Sequence, residues 1–457
     1  MIQKHDNTGR PLREKQREVF DWLENVWDQS RIKVLRGATG LGKSLICEAL
    51  RQSFDRTVIM IPSNNLIHQA LETYPKANFV IGTKFYDSPE SHQEARKRLY
   101  RGESTYVNPA SFYRFKTKNK RYERPYLMVV DEFHVVARMM QLFVSMNLPS
   151  EKFGIAPSPE DDYAINNWFK SKISVLNRLA AATPDSLERI ERFAVAEQIS
   201  SAYSFWQRYP SKYVPENTSK GLSIVPIDIP SFIPKMLFDC EHLVIMSATP
   251  NQIAIENIVG KEGYIYKDFG GIIPIENRPI QFDMISDRLN RDTDPQIIAG
   301  WIKRQVAKHP DQNTIIHVPY AWQKKLAPHL PGFLTNTPKT KDATLKKFKS
   351  EGGVWLASGC SEGIDLPYDL CRVAIVPMLW KPNLGSKLVQ KRISRLGQKV
   401  FDWEVIETFQ QQVGRGVRYE DDKCKIIVGD PLVARLIKKY RQELPEDFVN
   451  SFKWSKE

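Results

Sequence analysis

The chain has 457 residues, room for about three domains at roughly 150 residues each, and its 42% hydrophobic and 26% charged residues exclude disorder throughout. Lys and Arg exceed Asp and Glu by 66 − 53 = 13, which points to a polyanionic partner. Five scattered cysteines without a Cys-x-x-Cys pair argue against disulfides, zinc and a four-cysteine cluster, and no apolar run approaches the ~18–20 residues of a membrane span.

In chain order, short apolar runs alternate with helical patterns. Ile32–Leu35, Thr57–Ile61, Asn78–Ile81, Thr105–Val107 and Leu127–Val130 read as strands. The unbroken run Leu127-Met128-Val129-Val130 suits a strand buried on both faces of a parallel sheet. From 135 to 239 helical periodicity dominates, over Asn166–Ala182 and Asp185–Trp206, strand signals are few, and nine prolines from Pro149 to Pro234 mark loops. A strand at Leu243–Met246 and a connector at Gly270–Arg278 follow, then strands at Thr314–Val318, Gly353–Ala357, Arg372–Val376 and Lys425–Val428. The pattern predicts an α/β fold of two parallel-sheet domains in tandem, with a mostly helical accessory domain inserted in the first. Residues 1–134 and 240–275 would form the first domain, 135–239 the insertion and 276–457 the second domain. The first residues, Met1-Ile2-Gln3-Lys4-His5-Asp6, lack the apolar stretch of a signal peptide, so an intracellular, cytoplasmic protein is expected.

Gly37-Ala38-Thr39-Gly40-Leu41-Gly42-Lys43-Ser44 fits G-x-x-x-x-G-K-[ST] between a strand and a helix beginning near Leu45, the setting of a phosphate-binding loop. Its glycines let backbone N–H groups face phosphate oxygens, and the helix N-terminus adds partial positive charge. Lys43 would reach the β- and γ-phosphates, and Ser44 would ligate Mg²⁺. Asp131-Glu132-Phe133-His134 follows the buried strand 87 residues after Ser44; Asp131 is assigned to Mg²⁺ and Glu132 to the attacking water.

With Ser247-Ala248-Thr249-Pro250 and Gln411-Gln412-Val413-Gly414-Arg415-Gly416-Val417-Arg418, this order resembles a superfamily 2 DExH-box helicase. Ser358-Gly359-Cys360-Ser361-Glu362-Gly363-Ile364-Asp365-Leu366-Pro367 is similar to motif V of the Rad3/XPD/DinG branch, and compact phage and viral branch-migration helicases are similar in size. The resemblance implies that both domains are RecA-like, that ATP with Mg²⁺ lies between them, and that Gln411, Arg415 and Arg418 act with Lys43, Asp131 and Glu132 in hydrolysis. It adds Gln16, from Leu12-Arg13-Glu14-Lys15-Gln16, as a contact to adenine, where a polar amphipathic helix is the alternative, and Gly363 and Asp365 as nucleotide contacts. His134, Ser247 and Thr249 would couple the two domains. Ser63 and Asn64 (motif Ia), Asn108 (motif Ib) and Ser358 would touch the strand backbone. No cysteine lies between 48 and 239, so the branch's iron–sulfur cluster is not expected and its polarity is not carried over.

Between Arg96 and Arg124 ten Lys/Arg face two Glu, a local +8. Within it Phe112, Tyr113, Phe115 and Tyr122 interleave with Arg114, Lys116, Lys118, Lys120, Arg121 and Arg124, a composition suited to a single strand. Lys116, Lys118, Lys120 and Arg121 are therefore candidate DNA contacts, against the plainer reading of a solvated loop. Lys381–Lys399, with six cations and no acid, is open to the same two readings. The expected activity is ATP-driven movement on DNA, by a monomer with little sequence specificity, at forked or branched sites. An RNA helicase and a nucleotide-gated clamp are the alternatives.

Overall fold

A computed structural model of the chain describes residue 2 and residues 12–454 except 39, 120, 160, 219, 251, 261, 262, 362 and 363; the side chain of residue 65 is likewise outside the description. Two seven-stranded sheets form the frame, and every pairing in them is parallel. The first runs, edge to edge, Tyr264–Asp268, Ile32–Arg36, His242–Ser247, Leu127–Val130, Thr57–Met60, Thr105–Val107 and Asn78–Val80. The second runs Leu334–Thr335, Val354–Ala357, Thr314–His317, Val373–Val376, Lys425–Val428, Ile280–Phe282 and Phe452–Lys453.

Each strand of the sheet centre is apolar on both faces because helices cover both. In the first sheet Leu35, Ile59 and Val129 pack against Phe20, Leu23, Ile46 and Leu50 on one side. Val34, Met60, Met128 and Val130 pack against Phe112, Phe133 and Met140 on the other. Full burial of such a side chain contributes about 1.5–3 kcal/mol, which is why the period-2 alternation of a half-exposed strand is missing here. These are the two RecA-like domains expected from the sequence.

The insertion leaves the first sheet along the helix Phe133–Phe143 and returns through Phe232–Leu237. Its long helices, Asp162–Ala182 and Ser186–Arg208, are N-capped by Asp161 on Ala164 N (2.9 Å) and Asp185 on Glu188 N (2.8 Å), each cap worth about 1 kcal/mol. They bury Phe169, Ile199 and Trp206, with Trp168 and Phe205 packed alongside, so these aromatics make a core. The structure adds an antiparallel sheet that the sequence pattern did not reveal, Met146–Pro149, Gly221–Pro226 and Tyr213–Thr218 in that order. Pro149 and Pro215 made its outer strands look like loops, but an edge strand tolerates proline because one side of its backbone needs no sheet partner. Among the described residues no helix is long and apolar enough to cross a membrane.

Candidate nucleotide site and nucleic-acid face

The phosphate loop hangs between the strand Ile32–Arg36 and the helix Lys43–Ser53. Gly37 N donates to Ser247 O at 3.1 Å and Ala38 N to Gly270 O at 3.3 Å, which anchors the loop to the neighbouring strand and to the connector. Gly42, at φ +84, has no room for a side chain: an added Cβ would stand 2.2 Å from Gln16 Nε2. That amide donates to Leu41 O at 2.9 Å while its oxygen accepts from Arg13 N at 2.9 Å. Gln16 therefore braces the loop from below. Leu41 is buried, and Ser44 is exposed in the first helical turn. Thr39 lies outside the described residues.

Lys43 Nζ donates to Gly37 O at 3.2 Å and stands 3.8 Å from Glu132 Oε1. Glu132 sits in a left-handed conformation (φ +49) that a bulky residue rarely adopts, and its N–H donates to Asp131 Oδ1 at 3.0 Å. Burial, then the negative charge of Glu132, pushes the Asp131 carboxyl above the usual carboxylate range. Two adjacent carboxylates with Lys43 as their close lysine leave negative charge that a divalent cation such as Mg²⁺ would neutralise.

From Glu132 a line of polar contacts crosses to the second domain. His134 Nδ1 lies 3.4 Å from Glu132 Oε2 and 3.3 Å from Ser247 Oγ. Ser247 Oγ accepts from Thr249 N at 3.1 Å, and Thr249 Oγ1 accepts from Gln411 Nε2 at 3.0 Å. Gln411 Oε1 accepts from Arg415 Nη2 at 2.5 Å, and Arg415 Nη1 donates to Ile364 O at 3.4 Å. Arg418 is ion-paired to Asp365, and its own carbonyl lies 2.8 Å from the position of a Cβ on Gly40, a glycine at φ +93. Contacts thus run from Glu132 beside the loop to Arg415 of the second domain, and the Arg418 carbonyl meets the loop at Gly40; Gly363 lies outside the described residues. His317, buried at the end of Thr314–His317, is held neutral, at about 3, by burial and by the nearby Arg415 charge.

Sequence reasoning missed a second tie between the domains. Arg36, at the entry to the phosphate loop, pairs with Asp268 (2.9 Å) and with Asp447 (3.0 Å), and Asp447 also pairs with Arg278 (3.1 Å). Burial opposes ionisation of Asp447, but the charges of Arg36 and Arg278 outweigh it and hold its pKa below the usual value. No motif marks Asp447, which is separated from Arg36 by 411 positions.

The nucleic-acid candidates divide. Ser63 caps the helix Asn64–Thr73 by accepting from Leu66 N at 3.4 Å, with Asn64 half-buried in its first turn. Asn108 caps the helix Pro109–Lys118 and donates to Pro62 O at 2.8 Å, and Ser358 is fully buried, donating to Val318 O at 2.8 Å. In the structure both side chains act as supports: Asn108 knits two loops together, and Ser358 ties motif V to the end of the strand Thr314–His317. The Lys116 side chain is 8% exposed, lies over the Tyr122 ring and pairs with Asp239 at 3.4 Å. Phe112, Phe115 and Tyr122 are core residues and Tyr113 stacks on Phe143, so this aromatic set is structural. Arg114, Lys118, Arg121 and Arg124 stand exposed; Lys120 lies outside the described residues.

All six cations of Lys381–Lys399 are engaged within the protein. Lys381 pairs with Asp430, Arg392 with Glu404 and Lys399 with Glu443. Lys387 pairs with Asp162 and Arg395 with Asp228, and Lys391 donates to Pro210 O, so this stretch docks the second domain on the insertion.

A phosphate loop on one parallel-sheet domain, with the backbone of Arg418 from the other against its Gly40, is the arrangement of a two-domain nucleotide-binding protein. Residues 13–148 match the DEAD/DEAH box helicase family, and residues 310–451 match the helicase C-terminal domain. The chain thus carries the two domains of a nucleic-acid helicase, an enzyme that hydrolyses ATP with Mg²⁺. Nothing among the curated proteins matches it. Its fold is similar to that of XPD in the apo form, with a TM-score of 0.69 at 16% identity over 94% of this chain and 99% of that one. A second XPD helicase structure gives 0.69 at 13% identity, over 94% and 98% of the two chains. Xpd4 from S. tokodaii gives 0.66 at 16% identity, over 96% and 99%.

Proposed function

We propose that the chain is a DNA helicase and translocase that separates strands or drives branch migration at forked or branched DNA, work of the kind that repair and recombination require. The observation that carries this reading is the polar line from Glu132 through His134, Ser247, Thr249 and Gln411 to Arg415, which joins the hydrolytic centre to the second domain. Lys43 and the loop N–H groups bind the phosphates, and bound Mg²⁺, held by Ser44 and Asp131, would neutralise charge on them. Glu132 orients the attacking water and accepts its proton. Arg415 and Arg418 place cations where charge spreads over the transferred phosphoryl group. Loss of the γ-phosphate removes what those arginines hold, Gln411 releases Thr249, and the domains part.

Each cycle shifts the grip on the strand backbone. The helix N-termini at Ser63–Asn64 and Asn108–Pro109, together with Arg114, Lys118, Arg121 and Arg124, support a contact to phosphates and hence little sequence specificity. The test compares ATP turnover with single-stranded DNA and single-stranded RNA of one sequence. Stimulation by DNA with displacement of a forked DNA strand is expected; stimulation by RNA alone would make the chain an RNA helicase.

A further inference from the structure

The phosphate loop and the carboxylates serve the triphosphate end of a nucleotide. Gln16, the residue expected at the base, has both ends of its amide engaged, with Leu41 O and Arg13 N at 2.9 Å each. On the second domain, beside the loop, Tyr368 and Tyr419 stack with ring centroids 5.3 Å apart and planes within 7°. Core rings at such a spacing are buried, yet these are 38% and 43% exposed. Tyr419 directly follows Arg418, whose carbonyl abuts Gly40 of the loop, and Tyr368 lies three residues beyond Asp365, the partner of Arg418.

The pair is fixed in place. Tyr368 holds φ +53, a left-handed conformation that aromatic residues rarely adopt. Its N–H donates to Asp422 Oδ1 at 3.0 Å, and the other oxygen of that buried carboxylate accepts from Arg418 N at 3.2 Å. The Tyr368 hydroxyl donates to Asp421 at 3.1 Å. A backbone held in a strained conformation that presents an exposed ring points to a function for that ring. The neighbouring charges select the ligand: Asp369 is paired with Arg372 at 2.8 Å, but Glu420 and Asp421 are exposed acids that disfavour a phosphate chain. A neutral purine stacks on the rings instead and can donate its amino group to such a carboxylate.

We infer that Tyr368 and Tyr419 form the platform for the purine base of the bound nucleotide, with Asp421 or Glu420 accepting from its amino group. This rests on the reading of the cleft as a nucleotide motor and names the site's second half. The experiment titrates ATP, inorganic tripolyphosphate and a single-stranded oligonucleotide separately, with Mg²⁺, into the full-length protein and into Tyr419→Ala, Tyr368→Ala and Tyr419→Phe.

Removing a stacked ring should weaken ATP binding by roughly 5- to 150-fold in either alanine variant. Tripolyphosphate, which has no base, should bind all four proteins alike, and Tyr419→Phe, which keeps the ring, should retain most of the affinity for ATP. Equal ATP affinity in the alanine variants would overturn the proposal. So would a matching loss of tripolyphosphate, which would mark a structural effect on the loop, or a loss of oligonucleotide affinity alone, which would assign the platform to a nucleic-acid base. A full-length protein that binds neither ATP nor tripolyphosphate would overturn the motor reading itself.

Discussion

Thr249→Val removes a single hydroxyl from the junction between the domains. That oxygen accepts from Gln411 Nε2 at 3.0 Å, and both side chains are buried, so the variant strands an amide donor away from water. A buried donor without a partner costs about 1–3 kcal/mol, which shifts the closed arrangement against the open one by roughly 5- to 150-fold. The same amide positions Arg415 through its oxygen at 2.5 Å, so a displaced Gln411 carries the arginine with it. Lys43 and the loop remain intact, and the expected signature is therefore a fall in kcat of that order with a smaller change in the KM for ATP. Gln411→Ala should behave alike. If the contacts act in series, the double variant loses little more than the worse single one, giving a coupling energy of about 0.5–3 kcal/mol in a double-mutant cycle. Steady-state hydrolysis at saturating single-stranded DNA measures all four corners. Additive losses, or a change confined to KM, would refute the reasoning.

Three further expectations concern other parts of the molecule. Asp447→Asn breaks a largely buried ion cluster, an effect worth about 3–5 kcal/mol, and should lower the thermal midpoint more than Asp268→Asn does, because Asp447 serves both Arg36 and Arg278; an equal drop would contradict this. Burial lowers the Lys33 amine from 10.5 to about 8, where it lies 2.9 Å from His242 Nδ1 and over the Trp27 ring. Between those two values the unfolded chain binds the extra proton, so stability should rise with pH across that window, and urea midpoints should show the rise flattened in Lys33→Met. Replacing Arg114, Lys118, Arg121 and Arg124 with Gln should reduce the salt slope of single-strand binding by about three, at roughly 0.7 per phosphate contact. Lys116→Gln, which loses an internal pair with Asp239, should leave that slope unchanged in the same titration.

What the sequence made legible follows from how local each constraint is. Gly40, Gly42, Lys43 and the Asp131-Glu132 pair could be read because phosphate chemistry demands particular residues at fixed spacing beside a strand. The central strands could be read because burial on both faces leaves an unbroken apolar run, as in Leu127–Val130. Tyr264–Asp268 escaped notice because it is an edge strand whose last three residues are exposed. Charge was legible in composition, but not what stood opposite it. Lys116 meets Asp239 from 123 residues away, and Lys387 and Arg395 meet acids of the insertion, so a surface suggested by the sequence became internal pairing. Side-chain supports were hidden for the same reason: that Gln16 lies under Gly42, or that Asn108 reaches Pro62, depends on chain crossings that no spacing encodes.

The central claim, that ATP hydrolysis in this cleft drives strand separation on DNA, is tested most directly by displacement of a labelled strand from forked DNA, followed alongside ATP turnover in the same reaction. The full-length protein should displace the strand only with ATP and Mg²⁺, and hydrolysis should accelerate when DNA is added. Lys43→Ala should still bind the fork, because the loop and the strand-facing helices lie on different parts of the first domain, yet lose both activities. Hydrolysis indifferent to DNA with no displaced strand, or displacement that survives Lys43→Ala, would contradict the account.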